Sequence, residues 1–258
     1  MHPRVVSPAW LAERLDEVHV VDVRDAWEFE GIGHVPGAVN VPFDAFRGDE
    51  GEAGKLPGAD VFADLVGAAG ISNDDRVVAY DDHHGVFAAR FLVTAELYGH
   101  DPEKLHLLDG DFSAWQRAHE TTTDVESPDP TTYDAVFDTD GPLVPMAVVQ
   151  DAVDSDAVVV DTRERWEFEE GHIPGAVQLD WQAVIDEETR GLRPVEELRD
   201  LFESKGITPD RRIVLYCNTA RRISHTYLTL RHLGYEELAF YEGSLTEWEQ
   251  EGGALVEE

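Results

Sequence analysis

The sequence predicts an α/β fold with two similar domains, each a mainly parallel sheet with helices on both faces. Three observations predict it: an internal repeat along the chain, short β-branched runs in each copy, and helical patterns between these runs. Strands separated by helices imply right-handed crossovers and therefore a parallel sheet covered on both faces. With 258 residues, of which 42% are apolar, the chain is long enough for two domains with a core each.

The repeat consists of four blocks that occur in the same order in each half. VVDVRDAWEFEGIGHVPGAV at 20–39 matches VVDTRERWEFEEGHIPGAV at 159–177, and RVVAYDDHHG at 76–85 matches RIVLYCNTAR at 212–221. Two shorter pairs follow, ELYGH with RHLGY and LLDGDFSAW with FYEGSLTEW. Four ordered matches are hard to obtain by chance, and we interpret them as a duplicated domain.

Short β-branched and apolar runs mark three strands in each copy. Their length and composition are typical of buried strands. In the first copy the predicted strands are VHVVDV at 18–23, RVVAY at 76–80 and LHLL at 105–108. In the second copy they are AVVVDT at 157–162, RRIVLY at 211–216 and LAFY at 238–241.

Helical patterns lie between these strands, and their ends carry recognisable signals. In SPAWLAERL, Ser7 is a predicted N-cap and Pro8 occupies the first helical position. PVEELRDLFESKG and RRISHTYLTLRHLG each end in glycine. A segment rich in Thr, Asp and Pro separates the two copies and has little periodicity. We therefore expect a first domain at 1–120, a linker at 121–143 and a second domain at 144–258.

The charge balance is strongly acidic, with a net charge of −34 from 54 acidic and 20 basic residues. Such a surface repels nucleic acid and anionic lipid, so neither is an expected partner. In molar salt the Debye length falls to ~3 Å, and most of the self-repulsion disappears. The composition favours a halophilic host, with an acidic protein of an ordinary host as the alternative.

Cys217 is the only cysteine, which excludes an intramolecular disulfide and a multi-cysteine metal site. The sequence has no run of 18 apolar residues and no apolar signal-peptide core near its N-terminus. We expect a soluble cytoplasmic protein that needs no cofactor or metal. The run Asp81, Asp82, His83 and His84 suggests a metal site, but we interpret it as a solvated turn.

Cys217 follows a strongly apolar predicted strand and precedes a helix that begins near Arg221 or Arg222. A thiol at a strand-to-helix turn faces backbone N–H groups and the positive end of the helix dipole. That field and the two arginines favour the thiolate, which is the nucleophilic form. The alternative is that Cys217 is a small buried core residue.

The DVR and DTR motifs, the GHVPGA and GHIPGA motifs, the IVLYCNTARR turn and the EGSLTEW block together resemble the rhodanese family. The resemblance covers nearly the whole chain and is to the tandem form, with a catalytic second domain. It implies two rhodanese-like domains. Asp81 occupies the cysteine position in the first copy, and a carboxylate cannot form a persulfide. The first domain is therefore expected to be non-catalytic and to act as a scaffold.

The resemblance also implies a site and a reaction. The site is a loop whose N–H groups converge on the sulfur, and the expected reaction moves sulfur from thiosulfate through a Cys217 persulfide to cyanide or another thiophilic acceptor. The alternatives are 3-mercaptopyruvate as the donor, or a persulfide relay or binding module with a protein as sulfur acceptor. The loop residues are Cys217, Asn218, Thr219, Ala220, Arg221 and Arg222.

Arg221 and Arg222 are the predicted contacts for an anionic donor, because guanidinium binds such anions with forked geometry. Their alternative role is a surface pair that forms salt bridges with neighbouring carboxylates. Cysteine phosphatases of related architecture have a loop one residue longer, with arginine six positions after the cysteine. Ile223 stands there in this chain, which favours sulfur over phosphate as the transferred group.

The remaining motif residues are expected to be structural. Asp161 with Arg163, and Asp22 with Arg24, are predicted ion pairs that anchor the loops. The histidines of the two GHxPGA motifs, His34 and His172, are predicted to pack in the turns and not to act as bases.

Two departures from the family pattern leave the donor open. CNTARR matches neither the Cys-Arg-Lys-Gly-Val-Thr loop of thiosulfate enzymes nor the Cys-Gly-Ser-Gly-Val-Thr loop of mercaptopyruvate enzymes. Glu167 stands where many tandem rhodaneses carry an arginine that faces the substrate. The arginines of the loop are expected to compensate for this charge.

Overall fold

The computed structural model describes residues 4–48, 55–218 and 220–257. They form two compact units, Met1–Asp138 with Asp186–Leu192, and Thr139–Ile185 with Arg193–Glu258. Each unit contains one sheet in which every strand pair is parallel. The predicted α/β architecture with two parallel-sheet domains is therefore confirmed.

The sheet of the first unit has the order β1-β5-β4-β2-β3. Each longer strand is followed by a helix, as parallel connections require. The strands are β1 (Val5–Val6), β2 (His19–Asp22), β3 (Val39–Asn40), β4 (Val77–Tyr80) and β5 (Leu105–Leu108). The helices are α1 (Pro8–Ala12), α2 (Ala26–Gly31), α3 (Ala59–Ala68), α4 (Val86–Leu97) and α5 (Asp111–Ala118), with 3₁₀ turns at Leu15–Glu17, Phe43–Phe46 and Pro102–Lys104.

The sheet of the second unit has the order β7-β6-β8-β9 and repeats the central part of the first sheet. A parallel bridge from Leu143 to Phe240 extends it at the edge that β1 occupies in the first unit. The strands are β6 (Val158–Asp161), β7 (Val177–Gln178), β8 (Ile213–Tyr216) and β9 (Leu238–Tyr241). The helices are α6 (Met146–Val153), α7 (Arg165–Glu170), α8 (Val195–Ser204), α9 (Arg221–His232) and α10 (Ser244–Gln250), with a 3₁₀ turn at Trp181–Val184.

Both faces of each sheet are buried, because alternate strand residues pack against different helices. In the first unit Val78 and Tyr80 pack with Leu11, Phe112 and Trp115. In the second unit the corresponding cluster contains Val214, Tyr216, Leu245 and Trp248. Aromatic contacts form part of the packing on the opposite faces: Phe46 and Phe62 with Phe91 in the first unit, and Tyr227 with Phe240 in the second.

The predicted helix ends agree with the structure. The Ser7 side chain accepts the Trp10 N–H, which confirms it as the N-cap of α1. Helices α8 and α9 are followed by Gly206 and Gly234, whose positive φ angles of 72° and 91° end each helix. Within the described part of the chain, no helix combines the length and the apolar character needed to cross a bilayer.

The segment 119–138, which the composition suggested as part of a linker, runs along the first unit and belongs to it. Thr122 exchanges backbone hydrogen bonds with His34, and Tyr133 is buried against Phe62. The Thr131 carbonyl lies only 2.7 Å from where a Cβ would stand on Gly67, so this contact requires glycine. The domain boundaries read from the sequence stay a prediction.

Candidate active site

Cys217 follows directly after β8, at the carboxyl edge of the second sheet. Its side chain is fully buried, and its carbonyl accepts the Leu245 N–H at 3.2 Å. Asn218 is exposed, and Ala220 has a φ of 57°, a left-handed conformation that is strained for a residue with a Cβ. Thr219, a predicted loop residue, lies outside the described residues. The described part of the loop thus combines a buried sulfur after the strand with a strained residue just before the helix.

The corresponding loop of the first unit shows what such a turn can hold. Asp81 is buried, and its Oδ1 accepts the N–H groups of His83 and Gly85, both at 2.8 Å. Its Oδ2 accepts the N–H groups of Phe87 at 2.7 Å and Ala88 at 3.0 Å. Burial raises the pKa of the Asp81 carboxyl, and the backbone hydrogen bonds oppose that rise. The interpretation of this turn as solvated is wrong for Asp81, because a ring of backbone donors replaces water.

The described residues of the two loops agree in two backbone features. His84 in the first loop has a φ of 59°, close to the 57° of Ala220 at the matching position. The Asp81 carbonyl accepts the Phe112 N–H at 2.8 Å, which corresponds to the bond received by Cys217 from α10. Asp81 is therefore an internal analogue: it places a hydrogen-bonded carboxyl group where the second loop has its sulfur.

Arg222, five positions after Cys217, is ion-paired at the start of α9. Its Nη1 lies 2.5 Å from Glu167 Oε2, and its Nη2 lies 4.0 Å from Glu164 Oε1. Glu167 Oε1 also accepts the Asn218 side-chain amide at 3.3 Å. The carboxylate of Glu167 thus joins the beginning and the end of the active loop. In this structure Arg222 has the role named above as the alternative to donor binding, a salt bridge with neighbouring carboxylates. Arg221 is half-buried at the first position of α9.

A third acidic residue, Asp180, interacts electrostatically with Arg222, Glu164 and Glu167. Burial raises the pKa of Asp180, the negative charges of Glu164 and Glu167 raise it further, and the positive charge of Arg222 opposes them. The sequence pattern indicated Glu167, whereas Glu164 and Asp180 become part of the site only in the structure. The Glu-x-x-Glu spacing of Glu164 and Glu167 is a capping-box signal for the start of α7, whereas nothing in the sequence marks Asp180.

The Asp161–Arg163 pair anchors the turn that precedes the active loop. Arg163 Nη2 donates to Asp161 Oδ2 at 2.6 Å and to the Gly171 carbonyl at 2.7 Å. Both side chains are almost completely buried. Asp22 and Arg24 repeat the arrangement in the first unit, with a bond from Arg24 to the Gly33 carbonyl at 2.7 Å.

The motif histidines are part of the turns. His172 Nδ1 lies 2.9 Å from the Phe168 carbonyl, and its ring stacks on Phe168 with centroids 3.6 Å apart. His34 makes the same stack on Phe29 in the first unit. The Ile173 N–H donates to the Tyr216 hydroxyl at 3.1 Å and ties this turn to the strand before Cys217.

Comparison with known proteins identifies the family. The rhodanese-like domain matches residues 7–118 and 146–251. A putative thiosulfate sulfurtransferase of Haloferax volcanii is 32% identical, over 98% of this chain and 96% of the relative. A thiosulfate sulfurtransferase of Pseudomonas aeruginosa is 32% identical, over 95% and 94% of the two chains. The crystal structure of SseA from Escherichia coli, from a study of 3-mercaptopyruvate sulfotransferases, superposes with a TM-score of 0.84 at 25% identity and covers 94% of this chain and 98% of SseA. The chain belongs to the rhodanese family and contains its domain twice.

Proposed function

We propose that the protein is a sulfurtransferase that moves a sulfane sulfur from thiosulfate to a thiophilic acceptor such as cyanide, through a persulfide on Cys217. The observation that carries this proposal is the internal analogue at Asp81, where the turn after the matching strand surrounds a buried carboxyl group with four backbone N–H groups. The thiosulfate sulfurtransferase names of the two relatives support thiosulfate as the donor.

In the first half-reaction the Cys217 thiolate attacks the outer sulfur of thiosulfate. A new S–S bond forms to Cys217, the original S–S bond breaks, and sulfite leaves with the bonding electron pair. The product is a persulfide anion at the centre of the loop. We expect backbone N–H dipoles of the loop to stabilise this charge without a counter-cation, by analogy with the four N–H groups around the Asp81 carboxyl.

In the second half-reaction cyanide attacks the outer sulfur of the persulfide. The S–S bond breaks, thiocyanate leaves, and the Cys217 thiolate is restored. The first unit cannot follow this route, because Asp81 has no sulfur. We assign the ring of that unit a structural role.

Access to the sulfur requires the loop to move, because Cys217 has no exposed surface. The contacts of Glu167 with Asn218 and Arg222 hold the two sides of the loop together. We infer that a donor reaches Cys217 when these side-chain contacts open. The ion pair is largely buried but still reaches solvent, because the Arg222 and Glu167 side chains are 16% and 10% exposed.

Steady-state formation of thiocyanate from thiosulfate and cyanide tests the proposal. The Cys217→Ser variant should lose more than about a thousandfold in kcat, because no other residue can carry the sulfur. The Asp81→Glu variant is a matched control, since it changes the analogous loop without touching the nucleophile. Full activity of Cys217→Ser would refute the assigned nucleophile.

3-Mercaptopyruvate is the second candidate donor, and the resemblance to SseA favours it. Parallel kinetics with both donors, in high salt, decide between them. A donor that supports single-turnover loading of Cys217 but no cyanide-dependent turnover would indicate a persulfide relay to a protein acceptor instead. A cytoplasmic location forms part of the proposal, because a reducing compartment keeps a lone catalytic thiol free.

A further inference from the structure

Glu167 has a role in the second unit that its counterpart in the first unit lacks. Both glutamates cap the helix that follows the Asp–Arg pair: Glu167 Oε2 accepts the Glu164 N–H at 3.1 Å, and Glu28 Oε2 accepts the Asp25 N–H at 3.2 Å. Glu167 forms an ion pair with Arg222, whereas Val86 stands at the matching position of the first loop and the Glu28 side chain is hydrogen-bonded to Asp82. Helix capping therefore explains the shared glutamate but not its contact with Arg222.

The contact places the carboxylate of Glu167 on Arg222, one of the two arginines of the active loop. With Nη1 and Oε2 2.5 Å apart, Glu167 occupies part of the guanidinium surface that an anionic donor would use. A donor that binds Arg222 must displace this carboxylate or share the arginine with it. When the donor shares the arginine with Glu167, the nearby carboxylates repel the donor, and this repulsion grows with the negative charge of the donor.

The surroundings reinforce this effect. Glu164 lies 4.0 Å from Arg222, and the raised pKa of Asp180 reflects its burial and the nearby charges of Glu164 and Glu167. Three carboxylates thus share the environment of Arg222. Because the Arg222 and Glu167 side chains are mostly buried, salt screens their interaction less than it screens the outer surface.

We propose that Glu167 is a specificity-determining residue that occupies Arg222 before the donor binds and so lowers the preference of the site for a dianionic donor such as thiosulfate relative to a singly charged one. This proposal rests on the proposed function, and it gives that site a charge preference. Under this proposal Glu167, which departs from the family pattern, sets the charge preference of the donor site.

A pair of donors with the same reactive group and different charge isolates this effect. Thiosulfate is a dianion, and methanethiosulfonate replaces one of its oxygens with a methyl group and is a monoanion. In both reactions the Cys217 thiolate attacks the outer sulfur and the donor S–S bond breaks. Sulfite leaves from the first donor and methanesulfinate from the second, and each reaction forms the same persulfide.

The experiment measures kcat/KM for both donors, with cyanide as the acceptor, in wild type, Glu167→Gln and Glu28→Gln at one fixed salt concentration. Glutamine keeps the size of the side chain and one acceptor oxygen but removes the charge. In Glu167→Gln the ratio of kcat/KM for thiosulfate to that for methanethiosulfonate should rise about three- to tenfold, mainly through KM. In Glu28→Gln, which weakens the equivalent helix cap, the ratio should stay at the wild-type value.

An unchanged or lower ratio in Glu167→Gln would overturn the proposal, as would an equal rise in Glu28→Gln. A double variant tests whether Glu167 acts through Arg222. In an Arg222→Gln background, Glu167→Gln should no longer change the ratio. Melting curves of all variants show whether each one is folded at the assay temperature. If wild-type Cys217 accepts sulfur from neither donor, the proposed function fails, which is distinct from a failure of the charge preference alone.

Discussion

Asp81 and Cys217 occupy the same place in two copies of one turn, and each is the first residue after a buried strand. Asp81 draws four backbone N–H groups around its carboxylate. The Asp81 carboxyl is a fixed hydrogen-bond acceptor in this ring, whereas the Cys217 thiol can take part in a reaction. The two copies thus place different groups after the same strand, a carboxyl in the first and a thiol in the second.

The Asp81 ring leads to a prediction about stability. In Asp81→Asn, one carboxylate oxygen becomes an NH₂ group that faces N–H donors, so two hydrogen bonds are lost and the donors lose their acceptor. We expect the free energy of unfolding to fall by about 2–4 kcal/mol. Urea unfolding in high salt measures this change. A variant as stable as wild type would show that the ring does not depend on the charge of Asp81.

Residue-level chemistry was partly readable from the sequence. The position of Cys217 after an apolar strand and before a helix could be predicted, because strand and helix signals lie directly beside it. The ion pair of Arg222 with Glu167 could not, because the two residues lie 55 positions apart and meet only through the fold. Asp180 was missed for the same reason.

At the scale of elements, the six longer strands were predictable from their apolar runs. Each two-residue strand, such as β3 at Val39–Asn40, was not, because two residues have no periodicity. The six-residue helices α2 and α7 were also missed, although capping boxes mark their starts. Thr- and Pro-rich composition predicts a linker at 121–143, and the part of it up to Asp138 makes specific backbone contacts along the first unit.

His100 gives an element-scale prediction, because its side chain connects the segment 119–138 to the turn before β4. Its ring stacks on Tyr133, and its Nε2 lies 3.0 Å from the Asp75 carbonyl. Burial lowers the pKa of His100, the bond to Asp75 opposes this, and the charge of Lys104 lowers the pKa further. The unfolded chain therefore binds more protons than the folded protein below the ordinary histidine pKa of about 6.5.

Stability should consequently fall as the pH drops below about 6.5, and this loss should stop once the pH is below the lowered pKa of His100. Urea unfolding between pH 7.5 and 5.5 measures the effect in wild type and in His100→Gln. The variant should lose less stability over this range than wild type. Equal slopes for the two proteins would remove His100 as a source of the pH dependence.

At the scale of the whole molecule, the dominant property is a net charge of −34. Like charges at the surface repel one another and destabilise the folded chain, and salt screens this repulsion. We expect the melting temperature of the wild type to rise markedly between 0.2 and 2 M KCl. The rise should be smaller in a variant in which several exposed Glu residues are changed to Gln. A melting temperature that is independent of salt would contradict the predicted adaptation to a salty cytosol.

The central claim concerns a sulfur atom on one residue, and intact-mass measurement tests it most directly. Wild-type protein incubated with thiosulfate should gain the mass of one sulfur atom, the gain should map to the peptide that contains Cys217, and cyanide should remove it. The account is contradicted if no sulfur is gained while alkylation shows that the Cys217 thiol is reduced and intact.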